Sequence, residues 1–116
     1  MFGFSLKDKA KKILENDIGH YNPTNSWLNH IIKLGKLQEY NEYDVVIMYL
    51  MTEWEFKINQ CIERPDDFGK EIRKSWYESI NSEREKFKLM EHKAHQDLDF
   101  RDRCSRILKD SKKILK

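Results

Sequence analysis

The sequence predicts an all-α protein, built as an irregular bundle of four or five helices. Glycine and proline together provide only six of the 116 residues, too few for the tight turns of a sandwich or a barrel. Apolar residues recur three or four positions apart along most of the chain, which is the period of an amphipathic helix. Three Trp, five Tyr and six Phe also exclude a wholly disordered chain.

A first helix is predicted to begin after Ser5. Ser5 and Asp8 have the spacing of a capping box, and apolar residues follow at helical spacing as far as Ile18. Gly19 would end the helix, because glycine readily adopts the left-handed conformation that often follows a last helical turn.

A short second helix is predicted after the asparagine- and proline-containing loop 20–25. Thr24, Asn25 or Ser26 can cap its start. Its apolar residues again follow helical spacing, and Gly35 is expected near its end.

Residues 45–62 fit two patterns. Asn41 and Asp44 offer a cap for a long third helix, along which the apolar side chains would share one face. The same stretch alternates around Trp54 like a half-buried strand, so an α+β fold with a hairpin at about 45–62 is the alternative. The helix is favoured because residues 51–53 contain no Gly, Pro, Asn or Asp, where a hairpin would need its turn.

A fourth helix is predicted after Pro65, because proline disfavours helical conformation at the residue before it. Asp66 or Asp67 can cap this helix. Ser82 and Glu85 form a further capping-box pair inside its apolar stripe, which predicts a kink or a restart just before them.

The whole chain, residues 1–116, is predicted to form a single helical domain. Residues 99–116 would form a basic C-terminal helix that either docks or protrudes, since the apolar stripe thins before it and returns only weakly. Ten residues are predicted to lie in the core: Leu14, Ile31, Ile47, Leu50, Met51, Trp54, Ile58, Trp76, Ile80 and Phe87.

Charge is distributed unevenly, although the net charge is only +2. The stretch 37–67, called the acidic segment below, carries eight acids against two bases, a net charge of −6. The first twelve residues have a net charge of +3 and the last sixteen a net charge of +5. Charge placed off-centre in this way steers encounter and discriminates between partners.

Tyrosine and tryptophan coincide with carboxylates in the acidic segment, as expected of a protein-binding face for a basic partner. The alternative is that the rings belong to the core and the acids only solvate the exterior. The predicted partner-binding residues are Glu39, Tyr40, Glu42, Tyr43, Asp44, Glu53 and Glu55.

One cluster has the composition of a metal site. Glu91, His92, His95 and Asp99 could share one side of a helix. Neighbouring lysines would repel a cation, so the sequence predicts neither a bound metal nor a cofactor.

No catalytic centre is predicted. A nucleophile–base pair of Cys61 with His20 or His30 would need supporting motifs, and none is present. Cys61 and Cys104 are isolated from each other, which favours two reduced thiols over a disulfide. The chain is therefore expected not to be an enzyme.

The chain is expected to be a soluble cytoplasmic protein. Its N-terminus lacks the basic start and apolar stretch of a secretory signal. Its longest apolar run, Val45–Met51, has seven residues, too few to cross a membrane.

These observations favour a stoichiometric protein-binding protein, such as an inhibitor or immunity-type partner that masks the basic surface of a toxin or nuclease. The alternative is a nucleic-acid-binding or regulatory protein that uses the basic C-terminal helix. Acids interrupt the bases there, and the acidic segment repels a polyanion, both of which argue against nucleic acid as the partner.

Overall fold

The computed structural model describes residues 5–19, 21–22, 24–94 and 100–115. Within these residues the chain forms five α-helices and no strand. The all-α prediction is confirmed, and the hairpin alternative is excluded because residues 42–63 form one helix. The α-helices are α1 (Leu6–Ile13), α2 (Ser26–Leu37), α3 (Glu42–Glu63), α4 (Lys70–Glu91) and α5 (Phe100–Ser111).

Three of the predicted helix starts are confirmed. The Ser5 hydroxyl accepts a hydrogen bond from the Asp8 N–H at 3.1 Å. Asn25, one of three candidates, caps α2 by accepting from the Leu28 N–H at 2.9 Å. Asn41 and Asp44 cap α3 through two reciprocal hydrogen bonds of 2.9 Å. Each bond satisfies a main-chain donor that has no partner within the first helical turn.

The end of the first helix differs from the prediction. Leu14–Ile18 form a π-helical turn rather than a continuation of α1, and the Gly19 N–H donates to the Leu14 carbonyl at 2.8 Å. Gly19 has a φ of +100°, so its predicted role at the left-handed position is confirmed. The apolar spacing did not reveal the π-turn, because five residues are too few to separate the two helical periods.

The start of α4 also differs from the prediction. Neither Asp66 nor Asp67 caps the helix, because Asp67 is held in the turn after Pro65 by its bond to the Arg64 carbonyl. Gly69 occupies the position before the helix, and its carbonyl accepts the Arg73 N–H at 3.1 Å.

The predicted kink near Asn81 is absent, since α4 runs unbroken from Lys70 to Glu91. The Asn81 side chain donates instead to the Tyr77 carbonyl at 2.9 Å. No glycine or proline interrupts this stretch, so continuing the main-chain hydrogen bonds satisfies the donors that a new cap would serve.

The described chain divides into two compact units. The first, called the N-terminal unit, comprises residues 1–49 and 86–97, and the second, called the C-terminal unit, comprises residues 50–85 and 98–116. Nine of the ten predicted core residues are buried, and Trp76 is half-buried.

The N-terminal unit contains α1, the π-turn, α2, the first part of α3 and the last part of α4. Its buried side chains include Leu14, Leu28, Ile31 and Ile47. Gly35 is buried as well. A methyl group added there would lie 3.0 Å from Leu6 Cδ2 and 3.2 Å from both Tyr40 Cβ and Val45 Cγ2.

The C-terminal unit contains the remainder of α3 and α4, together with α5 and a 3₁₀ turn at Lys112–Leu115. Trp54, Ile58 and Ile80 are buried in it. Ile107 and Ile114 are also buried.

Candidate functional site

The predicted partner-binding residues fall into two groups. Residues 39–44 lie in the N-terminal unit, whereas Glu53 and Glu55 lie in the C-terminal unit. Glu39 is exposed, Asp44 is buried, and the other five are half-buried.

Glu39 occupies a position that normally favours glycine. It follows the last residues of α2 with a φ of +58° and is the only residue other than glycine with a positive φ among those described. The next residue, Tyr40, donates its N–H to the Gly35 carbonyl at 2.9 Å, which is the bond of a Schellman motif. A side chain at this left-handed position costs about 1 kcal/mol relative to glycine.

Leu37, at the end of α2, is an exposed apolar residue beside Glu39. Its side chain is 83% exposed. Tyr40 is half-buried, and its hydroxyl donates to Gln38 Oε1 at 3.2 Å. The turn between α2 and α3 therefore presents a leucine, a carboxylate and a partly covered tyrosine within four residues.

Asp44 forms a reciprocal cap with Asn41. The Asn41 N–H donates to Asp44 Oδ2, and the Asp44 N–H donates to Asn41 Oδ1, both at 2.9 Å. The Asn41 amide nitrogen also donates to the Lys93 carbonyl at 2.8 Å. Asp44 is 0% exposed, so its carboxylate stabilises the start of α3 and does not face solvent.

Tyr43 is half-buried and lies under a lysine. The Lys93 ammonium is 5.3 Å from the centre of the Tyr43 ring, within range of a cation–π interaction. Glu42 lies in the first turn of α3, where a negative charge interacts favourably with the helix dipole.

The second group lies on α3 in the C-terminal unit. Glu53 and Glu55 are two residues apart in a helix, so they point about 200° apart and do not form a carboxylate pair. Phe56 is 62% exposed and is three residues from Glu53, on the adjoining part of the helix surface. An exposed aromatic side chain thus accompanies these acids.

The aromatic residues of the acidic segment therefore separate into two classes. Tyr49 and Trp54 belong to the core, with 2% and 0% of their surface exposed. Tyr40, Tyr43 and Phe56 remain partly or largely accessible. The core interpretation therefore holds for Tyr49 and Trp54, whereas a protein-binding role for the three accessible rings stays a prediction.

A buried polar pair in the C-terminal unit was not predicted. The Trp54 indole N–H donates to Glu83 Oε2 at 2.6 Å, and both side chains are buried. A carboxylate acceptor makes this a charge-assisted bond. No local sequence signal connects two residues that are 29 positions apart.

Cys61 is a free, buried thiol. Burial raises the pKa of this thiol above its ordinary value, and the positive charge of Arg73 partly offsets that rise. A thiol with a raised pKa is a poor nucleophile at neutral pH. Cys61 therefore has the properties of a core residue.

The candidate metal cluster is only partly described. His92 is exposed in the turn that follows α4, while His95 and Asp99 lie outside the described residues. Among the residues that the structure does describe, no three potential ligands come together to hold a metal ion.

The basic C-terminal segment exposes Arg106, Lys109, Lys112 and Lys113. Lys113 forms an ion pair with Asp110 at 3.2 Å, so an acid neutralises part of this surface. No helix in the described part of the chain is long and apolar enough to pass through a bilayer.

In comparisons with protein-family models, with curated proteins and with solved structures, the chain gives no match. The candidate site is therefore defined by its own geometry.

Proposed function

We propose that this chain is a stoichiometric protein-binding protein whose acidic segment engages a basic surface of its partner. The observation that carries the proposal is that exposed hydrophobic side chains accompany the acids. Of the six large hydrophobic side chains exposed in the described residues, three lie in the acidic segment: Leu37, Phe56 and Ile62. A protein interface combines an apolar core with a polar rim, and charged groups in such an interface steer the encounter with a partner of opposite charge.

Glu39 supports the same proposal independently. A glutamate in a left-handed conformation costs stability that a glycine would restore. Strained positions of this kind cluster at functional sites, and the Glu39 side chain is exposed. An inhibitor or immunity-type role, masking the basic cleft of a nucleic-acid-cleaving toxin, is the specific form that we propose.

The test is quantitative capture from a lysate of the organism that encodes the chain, followed by mass spectrometry and binding kinetics with the captured protein. Three variants are compared with the unmodified chain. The first carries Glu39→Lys and Glu42→Lys, and the second carries Glu53→Lys and Glu55→Lys. Asp44 stays unchanged, because its reversal would break the cap of α3. The control carries Glu71→Lys and Glu78→Lys, which make the same charge change at two exposed sites on α4.

We expect one protein to be enriched in stoichiometric amount, with association slowed about tenfold at low salt by at least one of the first two variants. The control should associate at the unmodified rate. Glu39→Gly should raise stability by about 1 kcal/mol while weakening the complex. Equal binding by all variants would show that the acids only solvate the surface.

Nucleic-acid binding through the C-terminal segment is the competing function. It requires submicromolar binding of DNA or RNA at physiological salt, lost on removal of residues 101–116 and steeply weakened by added salt. That result would replace the protein-binding proposal.

A further inference from the structure

The N-terminal unit contains a cleft of about 460 Å³. This volume lies within the range of small-molecule sites. The cleft is lined by Asn16, Asp17, Tyr43, Lys86, Leu89, Met90 and Lys93.

The first observation about this cleft is the unusual backbone that borders it. Asn16 and Asp17 belong to the π-helical turn Leu14–Ile18. Helices of this type account for well under 1% of residues, and where they occur they are often associated with functional sites. The turn brings two polar side chains, an amide and a carboxylate, to the cleft.

The second observation is that two lysines reach the cleft in fixed positions. The Lys86 ammonium donates to the Ile18 carbonyl at 3.1 Å, at the end of the π-turn. The Lys93 main chain is held by Asn41, and its ammonium lies over the Tyr43 ring. Within the described residues, neither lysine forms an ion pair with a carboxylate.

The third observation is an apolar wall. Leu89 is 75% exposed although it is a large hydrophobic residue, whereas Met90 beside it is only 5% exposed. Together with the Tyr43 ring they offer the apolar part of a ligand a surface next to the ammonium groups.

We infer that this cleft binds a small amphipathic monoanion, namely a carboxylate or a similar anionic group attached to an apolar ring or chain. The lysines would pair with the anionic group, and Tyr43, Leu89 and Met90 would contact the apolar part. A single negative charge is favoured because Asp17 reduces the local charge of the two lysines to +1. This inference concerns small ligands and does not depend on the proposed protein partner.

The test titrates the full chain with 2-naphthoate as the probe and with its neutral counterpart 2-naphthalenemethanol as the matched ligand. Binding is measured by two-dimensional amide NMR. We expect 2-naphthoate to shift the amides of residues 16–17, 43 and 86–93 saturably, with a dissociation constant of about 1 mM, ordinary for a ligand of this size. The neutral compound should bind at least threefold more weakly.

Three variants separate specific binding from general attraction to a basic protein. Lys93→Gln should weaken 2-naphthoate binding about threefold or more, and Asp17→Asn should strengthen it by a similar factor, because these changes remove charges of opposite sign beside the same ligand. Lys36→Gln, at an exposed position on α2 outside the cleft, should leave binding unchanged. All three side chains are exposed, so the fold should survive each change.

The inference is overturned if the shifts do not saturate by 10 mM, or if the neutral compound binds as tightly as the anion. It is also overturned if Lys36→Gln weakens binding as much as Lys93→Gln does, or if Asp17→Asn has no effect. The protein-capture experiment substitutes different residues and detects a protein instead of a small ligand. Either proposal can therefore fail while the other stands.

Discussion

The hydrogen bond between Trp54 and Glu83 should make one of the largest single contributions to the free energy of unfolding of this protein. Both groups are buried, and the donor and acceptor atoms are 2.6 Å apart. Hydrogen bonds to charged groups contribute about 1.5–3 kcal/mol net, and a buried donor left unpaired costs about 1–3 kcal/mol. A small domain has only about 5–15 kcal/mol of stability in total.

Two substitutions each remove the bond. Glu83→Met keeps a side chain of similar length and helix propensity but leaves the indole N–H without this acceptor, so we expect a loss of about 2 kcal/mol. Trp54→Phe removes the donor and also leaves a small cavity worth about 1 kcal/mol, so we expect a loss of about 3 kcal/mol. In the double variant both polar groups are gone, and the losses should not add.

The assay is urea unfolding of all four proteins, which yields the coupling free energy of the pair. We expect a coupling of about 2 kcal/mol. The matched control is the cycle of Trp76→Phe with Glu83→Met. Trp76 lies seven residues from Glu83 on α4, about 10 Å along the helix axis, and residues this far apart should be additive within about 0.5 kcal/mol. A coupling for Trp54 and Glu83 no larger than that of the control would refute the reasoning.

Two further predictions concern the two units separately. In the N-terminal unit, Gly35→Ala should lower the free energy of unfolding, measured in urea, by about 1 kcal/mol. The added methyl group crowds Tyr40 Cβ and Val45 at a cost of about 1–3 kcal/mol, which exceeds the roughly 1 kcal/mol that alanine gains in helix propensity. A more stable variant would show that the crowding is relieved. In the C-terminal unit, the pKa of Cys61 is raised by burial, so the unfolded chain releases this proton at a lower pH than the folded one. The contribution of the thiol to the free energy of unfolding is therefore complete below its ordinary pKa and is lost as the pH rises through the folded pKa. The stability difference between the unmodified chain and Cys61→Ala should accordingly shrink above about pH 8.5. A difference that stays constant with pH would contradict the assigned burial effect.

Local features of the fold were predictable from the sequence, because they depend on residues close together in the chain. The caps at Ser5 and Asn41 each involve a partner three residues away, and the side-chain chemistry of such caps is visible in the sequence itself. The helical course of α3 followed from the absence of turn residues at 51–53. Gly19 was predictable since few other residues tolerate its conformation.

Long-range features were not predictable by the same reasoning. Glu83 looks like any surface acid in a helical pattern, and only the packing of α3 with α4 in the C-terminal unit shows that it meets Trp54. The bond from Asn41 to Lys93 joins residues 52 positions apart, and it helps to form a cleft that no motif indicated. Asp44 was predicted both as a cap and as a partner-binding residue, and the structure shows the cap.

The structure explains part of the negative charge of the acidic segment by the needs of the fold. One of its eight acids, Asp44, is a buried cap, and Glu42 lies in the first turn of α3, where acids stabilise a helix. Part of the local excess is therefore explained by the start of one helix. The same explanation does not extend to Glu39, which weakens its own turn, or to Glu53 and Glu55, which lie in the middle of α3. These three acids lie near exposed Leu37 and Phe56 in the sequence, so they are the part of the acidic segment on which the proposed partner contact depends.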